Sequence, residues 1–544
     1  MTTNDGMTNI DTAAPAKATR REWVGLAVLA LGALAYVMDL TVLHLAVPKM
    51  SAELQPSSAQ LLWIIDIYGF FVAGALVTMG SLGDRIGRRR VLLIGAAAFG
   101  VTSLLCAFSS TPEMLIVSRA ALGIAGATLA PSTLSLIFHM FQDPRERTIA
   151  IGVWIGAFSA GSAIGPVLGG IVLEFLWWGS VFLLAIPVMV ALLILGPRVL
   201  PESRDPEAGR LDPASAIMAV GAVLAVVFGL KQLAQEGPGL LAIAAIVVGL
   251  IAGALWVRRQ RQLADPMIDL ELFRVPQFNA ALIVNFLAIF MAVGYFLFVA
   301  QYLQLVAELT PFRAGLLSLP SAIAFVVGSQ AAPRIVQHVK PAYLISGGLA
   351  FASLGLFLLT QVGAANGLLP LVAASIVISL GLSPVFGLTT ELIVGSAPPE
   401  RAGAASGISE TGAELGGALG IALLGSIGVA IYRAALAPSV LAGLPPHAAT
   451  AARDTLGGAV GVASGLPAGT AAELLAVART AFVNGMHVAA AIAGVIGLGL
   501  AAFAYVTLRE RASGRSATEP LCVEPTMADQ PVLTPLAKPA RECF

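Results

Sequence analysis

Runs of roughly 20 apolar residues, separated by short polar stretches, recur along most of this chain. An α-helix rises about 1.5 Å per residue, so each run can cross the hydrocarbon core of a bilayer, which is about 30 Å thick. The pattern predicts fourteen membrane-spanning helices, and therefore an all-α polytopic membrane protein. The predicted spans are approximately 24–47, 61–80, 90–108, 113–136, 149–173, 180–197, 214–232, 239–257, 279–302, 313–332, 342–361, 367–391, 403–431 and 485–507.

The composition agrees with a membrane protein and gives little sign of other partners. Of the 544 residues, 57% are hydrophobic and 11% are charged, and the mean hydropathy is +0.87. The formal net charge is zero, which gives no indication of a nucleic-acid partner. The three cysteines form no Cys-x-x-Cys pair and the five histidines are scattered, so we expect neither a disulfide framework nor a metal site.

The basic residues predict which way the helices face. Most of the 31 lysines and arginines fall in predicted loops on the side that also holds both termini. The opposite side holds only Lys49, Lys231, Arg313, Arg433, Arg453 and Arg479. Because cytoplasmic loops carry the excess of basic residues, both termini are predicted to be cytoplasmic.

The composition also suggests where the protein is located. Few lysines and abundant alanine and glycine suggest a GC-rich bacterium, and thus its inner (cytoplasmic) membrane. The polar first 22 residues show no signal peptide.

Two segments repeat a pattern at a constant offset. "PRERTIAIGVWIGA" begins at Pro144 and "PPERAGAASGISET" begins at Pro398, which places Arg147 and Arg401 254 residues apart. The repeat pairs spans 1–6 with spans 9–14 and leaves spans 7 and 8 as an inserted pair. Two six-helix halves that face each other are typical of transporters, whose substrate site lies between them near the midplane.

The domain prediction follows from this repeat. We expect a cytoplasmic N-terminal segment, two six-helix bundles separated by an inserted helix pair, and a disordered cytoplasmic tail. An outer loop in the second bundle contains two pieces, 447–464 and 468–482, that resemble short separate helices. The predicted boundaries are 1–22, 23–197, 198–275, 276–507 with the outer loop 434–483, and 508–544.

Three charged residues lie inside apolar spans, at similar depth in the outer third of the membrane. They are Asp39 in "LAYVMDLTVLHLAVP", Asp66 in "WIIDIYGF" and Arg119 in "LIVSRAALGIAGA". A charged side chain at the centre of a membrane helix costs about 2.5–3.5 kcal/mol on insertion scales. We predict that Asp39 binds and releases the coupling proton, with Arg119 as its partner. The alternative is a permanent structural Asp39–Arg119 pair.

Glu410 and Glu414 are one helical turn apart in the thirteenth span, so they share a face near the midplane. This span is the repeat partner of the fifth, and both are expected to line the cavity. The predicted substrate site combines these two acids with nearby aromatic residues, which can hold a cation against their faces. Those aromatic residues are Trp63, Tyr68, Trp154 and Tyr295, although packing or lipid contact is an alternative for each of them.

The loop between the second and third spans reads "GSLGDRIGRRR", residues 80–90. Gly80 and Gly87 permit tight turns and close helix approach. Asp84 and Arg85 can pair across the helix junction as a conformational latch, while Arg88, Arg89 and Arg90 hold the loop inside. The alternative is a plain positive-inside anchor.

These motifs together resemble a known family. The G-x-x-x-D-R-x-G-R-R pattern of the 80–90 loop is a signature of the major facilitator superfamily, and Arg119 matches its arginine in the fourth helix. "MDLTVLHLAVP" and "WIIDIYGF" resemble elements of the fourteen-helix drug:proton antiporters of the QacA type. The G-P-x-x-G-G of the fifth span resembles the superfamily's antiporter signature; it comprises Gly165, Pro166, Gly169 and Gly170, and Gly161 lies one helical turn before it.

The resemblance covers residues 24–507 and implies a function. Such proteins expel lipophilic cations, dyes and antiseptics in exchange for protons, driven by the proton-motive force with no cofactor, and family members carry acids where Glu410 and Glu414 stand. The partners expected are therefore small lipophilic, cationic substrates, protons and the lipid bilayer. This chain departs from the family at His44, and its tenth span has no acid, which favours monovalent over long divalent cations.

Other functions remain open at this point. No lysine follows a glycine, so the chain has no Gly-Lys-Ser/Thr phosphate loop and an ATP-driven pump is disfavoured. No His-Glu-x-x-His motif or Ser–His constellation favours an intramembrane enzyme. The main alternative is export of an endogenous metabolite or natural product. A proton-dependent importer and a non-transporting membrane sensor are further possibilities.

Overall fold

The structure is a computed structural model. It describes residues 17–56, 58–204, 212–237, 239–263, 266–268, 270–365, 367–398, 401–436 and 444–509. The predicted tail 508–544 and the first 16 residues of the predicted segment 1–22 lie outside this part of the chain, apart from Leu508 and Arg509.

The described residues are almost entirely helical. The α-helices are α1 (Arg20–Leu54), α2 (Ser58–Ile86), α3 (Arg88–Ala107), α4 (Pro112–Gly126), α5 (Leu129–Met140), α6 (Pro144–Phe175), α7 (Ser180–Leu183), α8 (Ile186–Val199), α9 (Pro213–Glu236), α10 (Leu240–Gln260), α11 (Pro276–Gln301), α12 (Pro311–Ile335), α13 (Pro341–Leu359), α14 (Leu368–Gly395), α15 (Ala402–Ala435), α16 (Pro446–Asp454), α17 (Leu456–Ala463) and α18 (Ala468–Arg509). A 3₁₀ turn precedes α11 at Leu270–Arg274, and a π-helical turn, Tyr302–Val306, follows it.

Within the described part of the chain, thirteen helical segments are long and apolar enough to cross a membrane. Each overlaps one of the predicted spans. α6 lies at the remaining predicted span, 149–173, and its 32 residues extend for about 48 Å. α6 begins before the predicted span because Pro144 occupies its first turn and Asp143 accepts hydrogen bonds from the backbone N–H groups of Arg145 and Glu146.

Two spans that the sequence predicted as single helices are interrupted. The fourth span divides into α4 and α5 at Ala127–Thr128, and the sixth divides into α7 and α8 at Leu184–Ala185. In each case a proline follows a few residues later, at Pro131 or Pro187. A proline ring clashes with the carbonyl four residues before it, which here is the carbonyl of Ala127 or Leu183.

The predicted outer loop 434–483 is shorter than expected. Its first helix-like piece forms two short helices, α16 and α17. Its second piece, 468–482, is not a separate helix, because α18 runs without a break for 42 residues through the fourteenth span. That piece consists mainly of alanine, leucine and other strong helix formers, so nothing stops the membrane helix from continuing outward. Residues 437–443 of the predicted loop lie outside the described residues.

The apolar core forms two large clusters that correspond to the two halves. One is built almost entirely from α1–α8 and the other from α11–α18. The halves meet where α15 packs on α2 and α5, and where α6 packs on α12 and α14. The inserted pair α9–α10 joins this seam through α9, which packs on both α2 and α15. The described helices therefore form two bundles that meet along this seam, with the inserted pair against it.

Candidate substrate and proton site

Asp39 and Arg119 meet in the core of the first half. Arg119 Nη1 lies 3.8 Å from Asp39 Oδ2, and both side chains are almost fully buried, on α1 and α4. Neither carboxylate oxygen of Asp39 has a hydrogen-bond partner among the described residues. The carboxylate is therefore stabilised by a nearby charge at a distance longer than a hydrogen bond, which is an unfavourable arrangement for a buried anion.

Arg119 is held by groups other than Asp39. Its Nε donates to the Ile64 carbonyl at 2.5 Å, and its Cζ lies 5.3 Å from the Tyr68 ring centroid and 5.8 Å from that of Phe182. These contacts fix the guanidinium without using its Nη1, which has no hydrogen-bond partner among the described residues. Arg119 can therefore stay in place whether or not Asp39 is charged. The side chain of Asp66, the third predicted residue, lies outside the described residues.

Tyr68 and Trp154 belong to one row of aromatic rings. The ring centroids of Tyr68 and Tyr36 are 6.4 Å apart, those of Tyr36 and Phe158 are 5.8 Å apart, and those of Phe158 and Trp154 are 4.4 Å apart. Trp154 also donates its indole N–H to Thr133 Oγ1 at 3.0 Å. The row therefore connects α2, α1 and α6 beside the Asp39–Arg119 pair.

The other two predicted aromatic residues lie elsewhere. Trp63 stacks on Phe228 of the inserted helix α9, with ring centroids 6.0 Å apart. Tyr295 lies in the second half, where its hydroxyl interacts with Ser379 and its ring packs against the second apolar cluster. The structure thus divides the predicted aromatic set into three locations.

Glu410 and Glu414 lie on α15 where that helix crosses the first half. Both are half-buried, and α15 packs on α2 at this level. Tyr36 of the aromatic row is close enough to feel the charge of both acids. The two carboxylates therefore face the seam between the halves, as a substrate site between two bundles requires.

Three residues that the sequence prediction did not assign also lie at this seam. They are Phe70 on α2 and Phe228 and Lys231 on α9. The Lys231 ammonium lies 4.8 Å from the Phe70 ring centroid, and it is the positive charge that acts on Glu414. A signal for Lys231 was present in the sequence, because it is a lysine at the end of an apolar run in a chain with five lysines.

Asp84 joins the two halves at the face that holds the 80–90 loop, which we call the inner face. Its carboxylate accepts hydrogen bonds from the backbone N–H groups of Gly403 at 3.0 Å and Ala404 at 2.8 Å. These are the first residues of α15, so Asp84 of the first half caps a helix of the second. The ion pair of Asp84 is with Arg88, at 2.9 Å, rather than the pair with Arg85 that the sequence suggested.

The remaining residues of the 80–90 loop position this contact. A Cβ at Gly80 would overlap the carbonyl of Gly403, and Gly87 has a φ of +116°, which favours glycine. Arg85 donates to the Pro266 carbonyl at 3.2 Å, and Arg89 donates to the Leu200 carbonyl at 3.0 Å. The loop is thus attached to the chain segments on both sides of the inserted pair.

Two glycines of the antiporter-like segment lie where α6 crosses α1. A Cβ at Gly161 would lie 2.6 Å from the Leu34 carbonyl oxygen, and one at Gly165 would overlap Thr41. Gly169 is buried, whereas a Cβ at Gly170 would have no atom within 4 Å. The side chain of Pro166 lies outside the described residues. Close approach of α1 and α6 therefore depends on Gly161 and Gly165.

A cavity of about 880 Å³ opens near the inner end of α6. Its lining includes Arg147, Thr148 and Glu391. Thr148 Oγ1 donates to Glu391 at 2.9 Å, and Arg147 Nε lies 3.9 Å from the same carboxylate, so this α6–α14 contact also joins the halves. Glu391 is the last residue of the predicted span 367–391, and the sequence analysis assigned it no role.

Comparison with known proteins identifies the family. A family model described as Major Facilitator Superfamily matches residues 29–421. The chain is a member of the major facilitator superfamily. It is 44% identical over 489 residues to the multidrug efflux pump LfrA of Mycolicibacterium smegmatis, a match covering 90% of this chain and 97% of LfrA. The protein is therefore a membrane transporter related to efflux pumps, and not an enzyme.

Further relatives agree with this family. The methyl viologen resistance protein SmvA of Salmonella typhimurium is 35% identical, over 87% of this transporter and 96% of SmvA. The tetracenomycin C resistance and export protein of Streptomyces glaucescens is 31% identical, over 93% of this transporter and 95% of that protein. Among solved structures, human MFSD10, titled an organic anion transporter, matches with a TM-score of 0.57 at 14% identity, over 89% of this transporter and 100% of MFSD10. That last similarity concerns the fold alone.

Proposed function

We propose that this transporter is a proton-coupled multidrug efflux antiporter that exports lipophilic cations, including dyes and quaternary ammonium antiseptics. It uses the proton-motive force with no cofactor, and it lies in the inner membrane of a bacterium with both termini in the cytoplasm. The observation that carries the proposal is the buried Asp39 carboxylate, which has Arg119 at 3.8 Å and no hydrogen-bond partner among the described residues.

Proton coupling needs a group that can exist in two charge states at modest cost in each. Ionised Asp39 is attracted by Arg119 but lacks hydrogen bonds, whereas neutral Asp39 is cheaper to bury. Neither state is strongly favoured, so a change in solvent access can change proton occupancy. Because Arg119 is anchored by the Ile64 carbonyl and by two aromatic rings, it keeps its position through both states.

Cation binding is assigned to the seam. Glu410 and Glu414 supply negative charge, and the aromatic rings of the first half supply faces that attract cations. The relative named for methyl viologen resistance supports a cationic substrate class. Alternating access follows from the inner-face contacts, since Asp84 holds α15 against α2 and these contacts must break for the inner side to open.

The test is efflux of a fluorescent monovalent cation, such as ethidium, from energised cells that express the transporter. We expect rapid efflux that an uncoupler abolishes, and efflux from proteoliposomes driven by an imposed pH gradient alone. Efflux that persists without a proton gradient would contradict the coupling.

A second function, export of an endogenous metabolite or natural product, is favoured by the relative named as a tetracenomycin C exporter. A panel of cationic dyes, antiseptics and neutral or anionic natural products, applied to a sensitised host, separates the two. Protection confined to uncharged or anionic compounds would favour the second function.

A further inference from the structure

The inserted helix α9 places a positive charge at the seam between the halves. Lys231 is half-buried and lies within a span, Pro213–Leu233, that is apolar enough to cross a membrane. An ammonium group at such a place requires a compensating partner, because its desolvation is costly. The groups around this ammonium therefore indicate what chemistry this part of the seam can bind.

The Lys231 ammonium lies over an aromatic ring. It lies 4.8 Å from the Phe70 ring centroid, which is within the range of a cation–π interaction. Phe70 packs edge-on against Trp63 and Phe228, with centroid distances of 6.0 and 6.4 Å, and Trp63 stacks on Phe228. We call these three rings, Trp63, Phe70 and Phe228, the aromatic recess.

The aromatic recess borders the acids of α15. α9 packs on both α2 and α15, and Leu415, the neighbour of Glu414, packs against the cluster that contains Phe70. Lys231 lies on α9, so Glu414 and this ammonium are carried by helices in direct contact. One ammonium thus has an aromatic face on one side and a membrane-embedded carboxylate nearby.

We propose that the aromatic recess and Glu414 form a binding site for a monovalent lipophilic cation, and that Lys231 is an internal cation that the substrate displaces. The proposal rests on the proposed function in that the substrate is a cation. An ammonium and a quaternary ammonium or phosphonium group are attracted by the same ring faces and the same carboxylate, so they compete. On displacement, the Lys231 side chain turns toward the end of α9, about 8 Å away, where its long stem can reach the membrane surface.

This arrangement gives the inserted pair a role in specificity. Every cation that binds must displace Lys231, so the free energy of that displacement weakens cation binding. When no substrate is bound, the Lys231 charge compensates the negative charge of Glu414. A bulky dication meets a second positive charge in the same site unless Lys231 leaves completely. The recess therefore favours monovalent cations, independently of whether α12 carries an acid.

The experiment measures equilibrium binding of tetraphenylphosphonium to the purified full-length protein in lipid nanodiscs at fixed pH. For Lys231→Met, which keeps a long unbranched stem, we expect the Kd to fall at least fivefold. Lys231→Gln should show the same direction, and Lys231→Arg should stay near the original value. Lys340→Met is the matched control, because it removes an equal charge from an exposed residue at the start of α13; its Kd should not change.

A double-variant comparison tests whether Glu414 is the contested partner. In a Glu414→Gln background, Lys231→Met should tighten binding by less than twofold. An unchanged or weaker affinity in both folded Lys231→Met and Lys231→Gln would overturn the inference. If the original protein binds the cation and these variants bind no better, the inference fails while the proposed function stands. If neither the original protein nor the Lys231 variants bind any cation, both fail.

Discussion

At the residue scale, the decisive feature is a buried carboxylate whose environment favours neither of its charge states. Asp39 has an arginine nearby and no hydrogen-bond partner in the described part of the chain, so its proton occupancy can follow solvent access. A structural ion pair would be expected to have direct hydrogen bonds between carboxylate and guanidinium. The 3.8 Å separation therefore supports the coupling hypothesis over the structural pair.

Asp39→Asn should abolish efflux driven by a pH gradient, to the level of liposomes that lack the transporter. The amide is close in size to the acid, so the protein should still reach the membrane, but it cannot bind and release a proton. The measurement is proton-gradient-driven efflux in proteoliposomes, normalised to folded protein. Wild-type efflux and proton exchange in this variant would show that Asp39 is not the coupling group.

Arg119→Ala provides the companion measurement. It removes a buried guanidinium that is held by Ile64 and two aromatic rings, so transport should also be impaired. A parallel loss of folded protein in Asp39→Asn and Arg119→Ala would instead favour a structural pair.

Glu414→Gln should weaken cation binding more than Glu410→Gln does. Glu414 lies nearer than Glu410 to the midpoint of α15, and its neighbour Leu415 packs against the cluster that contains Phe70, so it is the acid next to the aromatic recess. Loss of a carboxylate that faces a desolvated cation is expected to raise the Kd about tenfold or more. The measurement is titration of a monovalent dye against each single variant. Because the two variants make the same chemical change on the same helix, their Kd values compare the two acids directly. Equal effects, or a larger effect of Glu410→Gln, would contradict this ranking.

At the element scale, α15 differs from its repeat partner α6 in how its first turn is stabilised. The N–H groups of α6 are capped by its own Asp143, whereas those of α15 are capped by Asp84 of the other half. The cap of α15 must therefore be broken whenever α15 moves away from α2. A local helix cap has thus become a contact between the two halves.

Asp84→Ala should slow conformational cycling more than it weakens substrate binding. Each transport cycle must return to the state in which the inner face is closed, and loss of the helix cap costs that state about 1 kcal/mol, which corresponds to roughly a fivefold change in rate. Turnover in proteoliposomes and Kd in nanodiscs should be measured on the same preparations. Asp143→Ala is a matched control, since it removes a cap inside one half; it should lower stability with less effect on turnover per folded molecule. Unchanged turnover with weakened binding in Asp84→Ala would contradict the latch.

The outer segment is attached to the second half by few polar contacts. Tyr432 donates its hydroxyl proton to the Ala452 carbonyl at 2.8 Å, and Arg433 lies 3.1 Å from Asp454. Residues 444–467 contain just two charged side chains, Arg453 and Asp454. A segment with so few charged side chains is better suited to cover the outer exit of the transport pathway than to bind a cationic substrate.

Replacing residues 437–466 by a short Gly-Ser linker should change efflux rates by no more than a few-fold. The replacement ends before Ala468 because α18 starts there and continues into the membrane, so a deletion through 483 would shorten the spanning helix. Surface labelling confirms insertion, and efflux of several dyes gives the outcome. A correctly inserted variant with no residual efflux of any substrate would overturn the modulating role.

Some features of the helices could be predicted from the local sequence, whereas others depend on how the helices pack. The spans follow from apolar length, and the start of α6 follows from Asp143 and Pro144. The interruptions near Pro131 and Pro187 could not be predicted in the same way, since α12 and α14 remain continuous across Pro320 and Pro384. Whether a proline interrupts a membrane helix depends on which neighbours satisfy the freed carbonyl.

At the scale of the whole molecule, the two halves meet at the seam, and the residues that form the seam were only partly predictable from the sequence. The repeat indicated two facing halves, and apolar context singled out Asp39 and Arg119. The pairing of Asp84 with the first turn of α15 joins residues 319 positions apart, which no local pattern encodes. The contribution of α9 was also missed. The repeat leaves α9 and α10 without a counterpart, which suggested that the inserted pair lies apart from the two bundles.

Charge at the seam should make cation binding depend on pH. Glu410 and Glu414 are one turn apart on α15, and like charges at this spacing in a poorly hydrated site repel, so one of them is expected to hold a proton. Among the described residues, the charged or titratable groups around the two acids include Tyr36 on α1, Tyr68 on α2 and Lys231 on α9. A bound cation supplies the positive charge that the proton otherwise supplies, so the two compete.

The expected result is tighter cation binding as pH rises and the acid pair loses its proton, with the Kd falling by up to tenfold per pH unit if one proton leaves for each cation bound. Monovalent cations should bind better than long dications, because α12 offers no acid for the second charge. Titrations of a monovalent dye and a bis-cation at several pH values measure both effects, with the Glu410/Glu414 double glutamine variant as reference. In that variant the pH dependence should disappear together with most of the affinity. An affinity that is independent of pH in the original protein, or that survives the double substitution, would remove this acid pair from the site.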